Sequence, residues 1–134
     1  TPTSSSAASD VYKRQCITAD HGVVNIQDQN KYRLKYDESV KIYGDQRAVY
    51  INGEVEKIEK VFKNVPGYFL EKEEIISLLG TPTNEHIKNF YPEQIFLLDD
   101  GNIIFPNHLS ANLKGYHGGI SKTEVSIPLI EIIN

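Results

Sequence analysis

Two glycine-rich corners, nearly a hundred positions apart, restrict this chain more than any other feature. The first, Ile17-Thr18-Ala19-Asp20-His21-Gly22, sets a carboxylate beside an imidazole where an apolar run breaks at glycine. The second, Gly115-Tyr116-His117-Gly118-Gly119, sets another imidazole among glycines, with a hydrophobic tail behind it. Asp and His are common ligands of hydrolytic zinc. Neighbouring side chains on a regular strand point to opposite faces. Asp20 and His21 can therefore serve one metal only from a turn just past a strand end. Gly22 permits that turn. Ligands gathered outside the carboxyl ends of strands are the usual arrangement in α/β enzymes. Taken singly, the bland readings are a polar turn at Asp20-His21 and a histidine in a glycine loop at His117.

Taken together, the stretches ITADHG and GYHGGISKTEVSIPLIEI resemble the C-terminal part of the alkaline phosphatase superfamily. The branch they resemble is the type I phosphodiesterase/nucleotide pyrophosphatase group. That group has a TADHG turn, an inserted α+β segment and a GxHGGLSxxEMxVPL ending. Here Ile120 replaces the Leu, and Val125 and Ile127 fill the Met and Val places. The run Gly44-Asp45-Gln46-Arg47-Ala48-Val49-Tyr50 resembles the start of the insert. The resemblance runs from about Cys16 to Asn134. It implies an α/β chain, the C-terminal fragment of an alkaline-phosphatase-like α/β/α domain with a small α+β insert. Residues 16–30 and 91–134 would belong to the catalytic domain and residues 31–90 to the insert. Residues 1–15 resemble a translated sequencing adapter and are expected to be a disordered, non-native leader; such scars are set aside in fold reasoning.

Composition excludes several classes. The 134 residues carry a net charge of −4 and are 40% hydrophobic. That suits a globular domain or part of one, and it argues against nucleic acid or an anionic membrane as partner. No apolar run approaches the length of a membrane span. A lone cysteine, Cys16, makes no internal disulfide and points, weakly, to a reducing, cytoplasmic compartment. Lys31-Tyr32-Arg33-Leu34-Lys35-Tyr36 interleaves bases and aromatics as some nucleic-acid binders do. An edge strand with its charges in water is the favoured reading.

Coarse patterning fills in the rest. A strand ends at Ala19, and others are expected over residues 31–36, 47–52 and 68–70. Apolar residues at helical spacing predict a helix over 54–64, capped by Asn52 or Gly53. A second helix is expected over 71–79 with Gly80 as its stop, and a short one over 81–90. His86, in the last, reads as a surface residue, and His108 as a solvated one. Residues 94–98 and 102–105 flank Asp99-Asp100-Gly101, a strong hairpin signal. Turn chemistry explains those two aspartates better than metal does. Ser121-Lys122-Thr123-Glu124 matches a capping box, which gives Glu124 a local structural job. Residues 126–133 form a last strand, too apolar for an exposed edge, expected beside the strand that delivers Asp20.

The resemblance implies two divalent cations, usually zinc, flanking a Thr or Ser nucleophile. Asp20 and His21 would hold the ion that also binds the nucleophile, and His117 would hold the other. The substrate would be a small phosphoester or nucleotide, hydrolysed through a covalent phospho-enzyme. The chain offers no candidate for the nucleophile segment, for the first metal-binding Asp, or for the Asp-x-x-x-His pair of the second site. No catalytic residue is therefore assigned, and the chain alone is expected to bind zinc weakly without turnover. Two metals about 4 Å apart would place the Asp20 and His117 ligand atoms within roughly 8 Å. PglZ-type phage-defence proteins of the same superfamily share both corners and remain an alternative. Cofactor-independent phosphoglycerate mutases do not fit Val23 or the HGG tail. An alternative of another class is a non-catalytic α+β interaction module, which expects Asp20 and His117 to lie far apart. Oligomeric state is not legible.

Overall fold

The structure is a computed structural model that describes residues 14–44, 46–105 and 112–133. His108 and most of the adapter-like leader lie outside the described residues. The strands are β1 (Arg14–Thr18), β2 (Val24–Asn25), β3 (Lys31–Arg33), β4 (Val40–Gly44), β5 (Ala48–Gly53), β6 (Gly67–Phe69), β7 (Gln94–Leu98), β8 (Ile103–Phe105), β9 (Gly115–Tyr116) and β10 (Leu129–Ile133). The helices are α1 (Val55–Phe62), α2 (Lys72–Leu79), α3 (Glu85–Lys88) and α4 (Lys122–Val125). The fold is thus α/β, as expected.

A four-stranded antiparallel sheet, ordered β4-β5-β7-β6, forms the centre. Its two inner strands alternate cleanly between two cores, as pleating requires. Val49 and Ile51 of β5, with Phe96 and Leu98 of β7, face Ile58 and Phe62 of α1. Ala48 and Tyr50, with Ile95 and Leu97, face Ile75 of α2. Each helix buries one apolar stripe against one face of the sheet, so the unit is a three-layer α/β/α sandwich. This sheet takes in β7, beyond the 31–90 span read as the insert.

Several local expectations are corrected. Helix α1 is capped at Glu54 without a side-chain bond, rather than at Asn52 or Gly53. The segment 81–90 forms only the single turn α3, capped by Asn84 through a 2.9 Å bond from the Ile87 N–H. β7 and β8 do not pair as a hairpin. The Asp-Gly turn is real, with the Asn102 N–H donating to the Asp99 carbonyl at 3.2 Å. Both edges of β7 are already taken, by β5 and β6. β8 therefore leaves the sheet and pairs in parallel with β3, so residues 31–33 form no open edge strand on that side.

β8 is also a seam. Ile104 points into the core beneath α1, while Ile103 and Phe105 point into a second core with Ile26 and Tyr116. That second core underlies β2 and β9, the strands next to the histidine corners. β10 returns antiparallel to β1, with Thr18 opposite Leu129 and Arg14 opposite Ile133. The strand carrying the first corner is thus β10's neighbour, as expected. Pairing also takes in Arg14 and Gln15, the last two residues of the span read as leader. The expectation that β10 is covered fails: Leu129 is 74% and Ile133 65% exposed. Among the described residues only β1 pairs with it, and no described element buries either face of β10.

Candidate functional site

The two corners meet. β2 and β9 pair antiparallel, with Val24 opposite Tyr116 and Asn25 opposite Gly115. His21 precedes β2 and His117 follows β9, so both imidazoles emerge at the same end of this short ladder. Their rings stack at 3.7 Å between centroids, 20° from parallel. Tyr116 anchors the second corner: its ring is buried edge-on against Phe105 at 5.6 Å. The module reading, which separates the corners, is not supported by this contact.

Asp20 and His21 are oriented toward each other. An Asp20 carboxylate oxygen accepts from the His21 backbone N–H at 3.0 Å. Its other oxygen lies 3.6 Å from His21 Nε2. His21 Nδ1 lies 2.8 Å from the Gly22 carbonyl. With the proton on Nδ1, that carbonyl accepts it and Nε2 presents a lone pair. Both side chains face solvent, Asp20 at 88% exposure.

Beneath the corners lies a buried ion pair. Arg47, 1% exposed, comes from the turn before β5, and Glu124, 3% exposed, from α4. Arg47 Nε donates to one Glu124 oxygen at 2.6 Å and Nη2 to the other at 2.9 Å. Nη1 donates to the Asn102 carbonyl at 2.8 Å. The first Glu124 oxygen also accepts from the Gly119 N–H at 2.9 Å. The second accepts from the Ser121 N–H at 3.3 Å and its hydroxyl at 2.6 Å. The expected capping box is present. The Glu124 backbone carbonyl then accepts from the Gly22 N–H at 2.8 Å. One residue therefore holds both corners.

The glycines are explained by this crowding. A Cβ on Gly22 would lie 1.8 Å from the Thr123 carbonyl oxygen, and one on Gly119 would lie 2.6 Å from a Glu124 oxygen. Gly118 has φ of 100°, which turns the chain sharply just after His117.

Comparison with solved structures gives the fold a context. Murine ectonucleotide pyrophosphatase/phosphodiesterase 5 superposes with a TM-score of 0.65 and 18% identity, over 89% of this chain and 33% of that one. Phosphonoacetate hydrolase from Sinorhizobium meliloti 1021, in complex with phosphonoacetate, gives 0.61 and 14%, over 92% and 37%. The chain thus shares its fold with part of each of these two structures. The chain spans about a third of the length of each of these chains. No family model matches the sequence, and no curated protein matches it.

For the two cations that the sequence resemblance implies, the donors here fit in kind and partly in number. Two ligands on one tetrahedral zinc stand about 3.4 Å apart, close to the 3.6 Å between Asp20 and His21 Nε2. Yet among the described residues no group of three or more His, Cys, Asp or Glu is placed to hold a metal. His86 stays away from the corners, stacking edge-on to Phe90 at 5.4 Å. The sequence reading missed Arg47. Its only signal was a charged residue at the entrance to a β-forming run, and charge alone does not announce a buried partner 77 positions away.

Proposed function

We propose that this chain forms part of a metal-dependent phosphoester hydrolase, in which Asp20 and His21 hold one divalent cation and His117 a second. Zinc is the ion these donors suit best. The observation that supports the reading most strongly is the stacking of His21 on His117 at 3.7 Å, from opposite ends of the described chain. When bound, a pair of such ions lowers the pKa of an attacking oxygen and steadies charge on the phosphoryl oxygens.

This chain's own residues prepare the place. Asp20 contributes an anionic oxygen, fixed by the His21 N–H. His21 contributes Nε2, its ring aimed by the Gly22 carbonyl. His117 stands at a corner between buried Tyr116 and Gly118, where its ring reaches solvent while its backbone is anchored. The proposed substrate class is a small phosphodiester or nucleotide pyrophosphate. The Thr or Ser nucleophile and the remaining ligands are expected upstream in a longer parent.

Calorimetric titration with zinc tests the metal assignment. The 134-residue chain should bind weakly, because catalytic zinc takes about three protein ligands and each half-site here has fewer. Asp20→Ala and His117→Ala should each reduce the heat of binding. Heats unchanged in both variants would overturn the assignment, and tight stoichiometric binding by the chain would overturn the half-site description.

A further inference from the structure

We infer that Arg47 is a positioning residue for the two histidine corners, acting through Glu124. The inference rests on the metal reading above for its functional meaning, but its geometry stands alone. The Arg47 guanidinium bonds to Glu124, to the Asn102 carbonyl and, at 3.3 Å, to the Asp100 carboxylate, rather than to an imidazole. It grips both oxygens of Glu124, and those oxygens in turn take the Gly119 N–H and two donors of Ser121. The same residue's backbone carbonyl takes the Gly22 N–H. Gly22 adjoins His21, and Gly119 lies two residues after His117. The spacing of the two rings is therefore set from behind, by a guanidinium delivered from the central sheet's side of the molecule.

The chemistry favours arginine here. A planar fork supplies two parallel donors to one carboxylate and a third to the Asn102 carbonyl, so the carboxylate cannot rotate. A rotating carboxylate would release Gly119, and with it the backbone behind His117. Lysine would preserve the charge but offer a single point of contact. The pair also ties the corners to the turn before β8, because Asn102 leads directly into that strand.

The test uses the whole chain and two readouts, nuclear Overhauser contacts between the His21 and His117 ring protons and zinc affinity by calorimetry. Arg47→Met combined with Glu124→Leu replaces the pair by apolar groups, a change that buried ion pairs often tolerate without loss of fold. The expected result is a native-like amide spectrum for β5 and β7, loss of the ring-to-ring contacts and at least a tenfold loss of zinc affinity. Arg47→Lys should give an intermediate result in both readouts. Ring contacts and affinity both retained in the double variant would overturn the inference. Should the double variant fail to fold, Arg47→Lys decides alone: contacts at wild-type strength would overturn it. If the wild-type chain shows the ring contacts but no zinc binding, the metal reading fails, and the ring contacts still judge the positioning role.

Discussion

At the scale of single residues, the energetic centre of the molecule is the carboxylate of Glu124. Burial raises its pKa, but hydrogen bonds from Arg47, Ser121 and Gly119, together with the Arg47 charge, outweigh burial and hold it below the ordinary glutamate range. A carboxyl lowered on folding binds fewer protons folded than unfolded. Its contribution is complete above the unfolded value of about 4.3 and is lost as pH falls through the lower folded value. Glu124→Gln leaves the buried Arg47 charge with only the exposed Asp100 carboxylate, at 3.3 Å, as its ionic partner, so it should cost about 2–4 kcal/mol at neutral pH, and the gap to wild type should close in acid. Urea unfolding across pH measures both; a gap independent of pH would refute the assignment. Gly22→Ala should cost about 1–3 kcal/mol, because its Cβ meets backbone that cannot swing aside. Equal urea midpoints for wild type and variant would show that the corner can yield. The sequence exposed the local half of this network, the Ser121–Glu124 capping box, because that half is contiguous. The Arg47 half depends on a fold that joins distant segments, and no local pattern encodes it.

At the scale of elements, periodicity served well where packing is local. Helix α1 and helix α2 were legible from their apolar spacing, because each meets the sheet through one stripe. The β7–β8 hairpin was misread for a physical reason. An Asp-Gly turn fixes how the chain reverses, while strand pairing depends on which edges stand open, and β5 and β6 close both edges of β7. β4 went unread although Val40 and Ile42 alternate with Lys41 and Tyr43. Its status became clear only from its pairing with β5, Ile42 opposite Ile51. The interior position of β7 makes a graded prediction. Phe96→Ala, which opens the cluster shared with Phe62 and Phe69, should cost about 3–5 kcal/mol. Ile42→Ala, on the half-buried outer strand, should cost clearly less. Urea denaturation of the two variants checks the order, and a reversed order would contradict the central placement of β7.

At the scale of the whole molecule, the β1–β10 ribbon sets the behaviour in solution. Ile17 and Ile130 on one face of it, and Leu129 and Ile133 on the other, are all more than half exposed, and exposed apolar side chains of that kind favour association. Leu129 and Ile133 share one face of the strand. Leu129→Lys combined with Ile133→Lys should lower the sedimentation-average mass at high protein concentration. A wild-type chain that sediments as a monomer throughout would refute this. Among the described residues no helix is long and apolar enough to cross a membrane. The register of that ribbon has one more consequence. Because Arg14 stands directly opposite Ile133, the two extremes of the described backbone are neighbours. A short linker could splice them into a ring, and the ring could be reopened at exposed Thr83. Such a circular permutant would carry both histidine corners in one uninterrupted run of chain, with the linker between them.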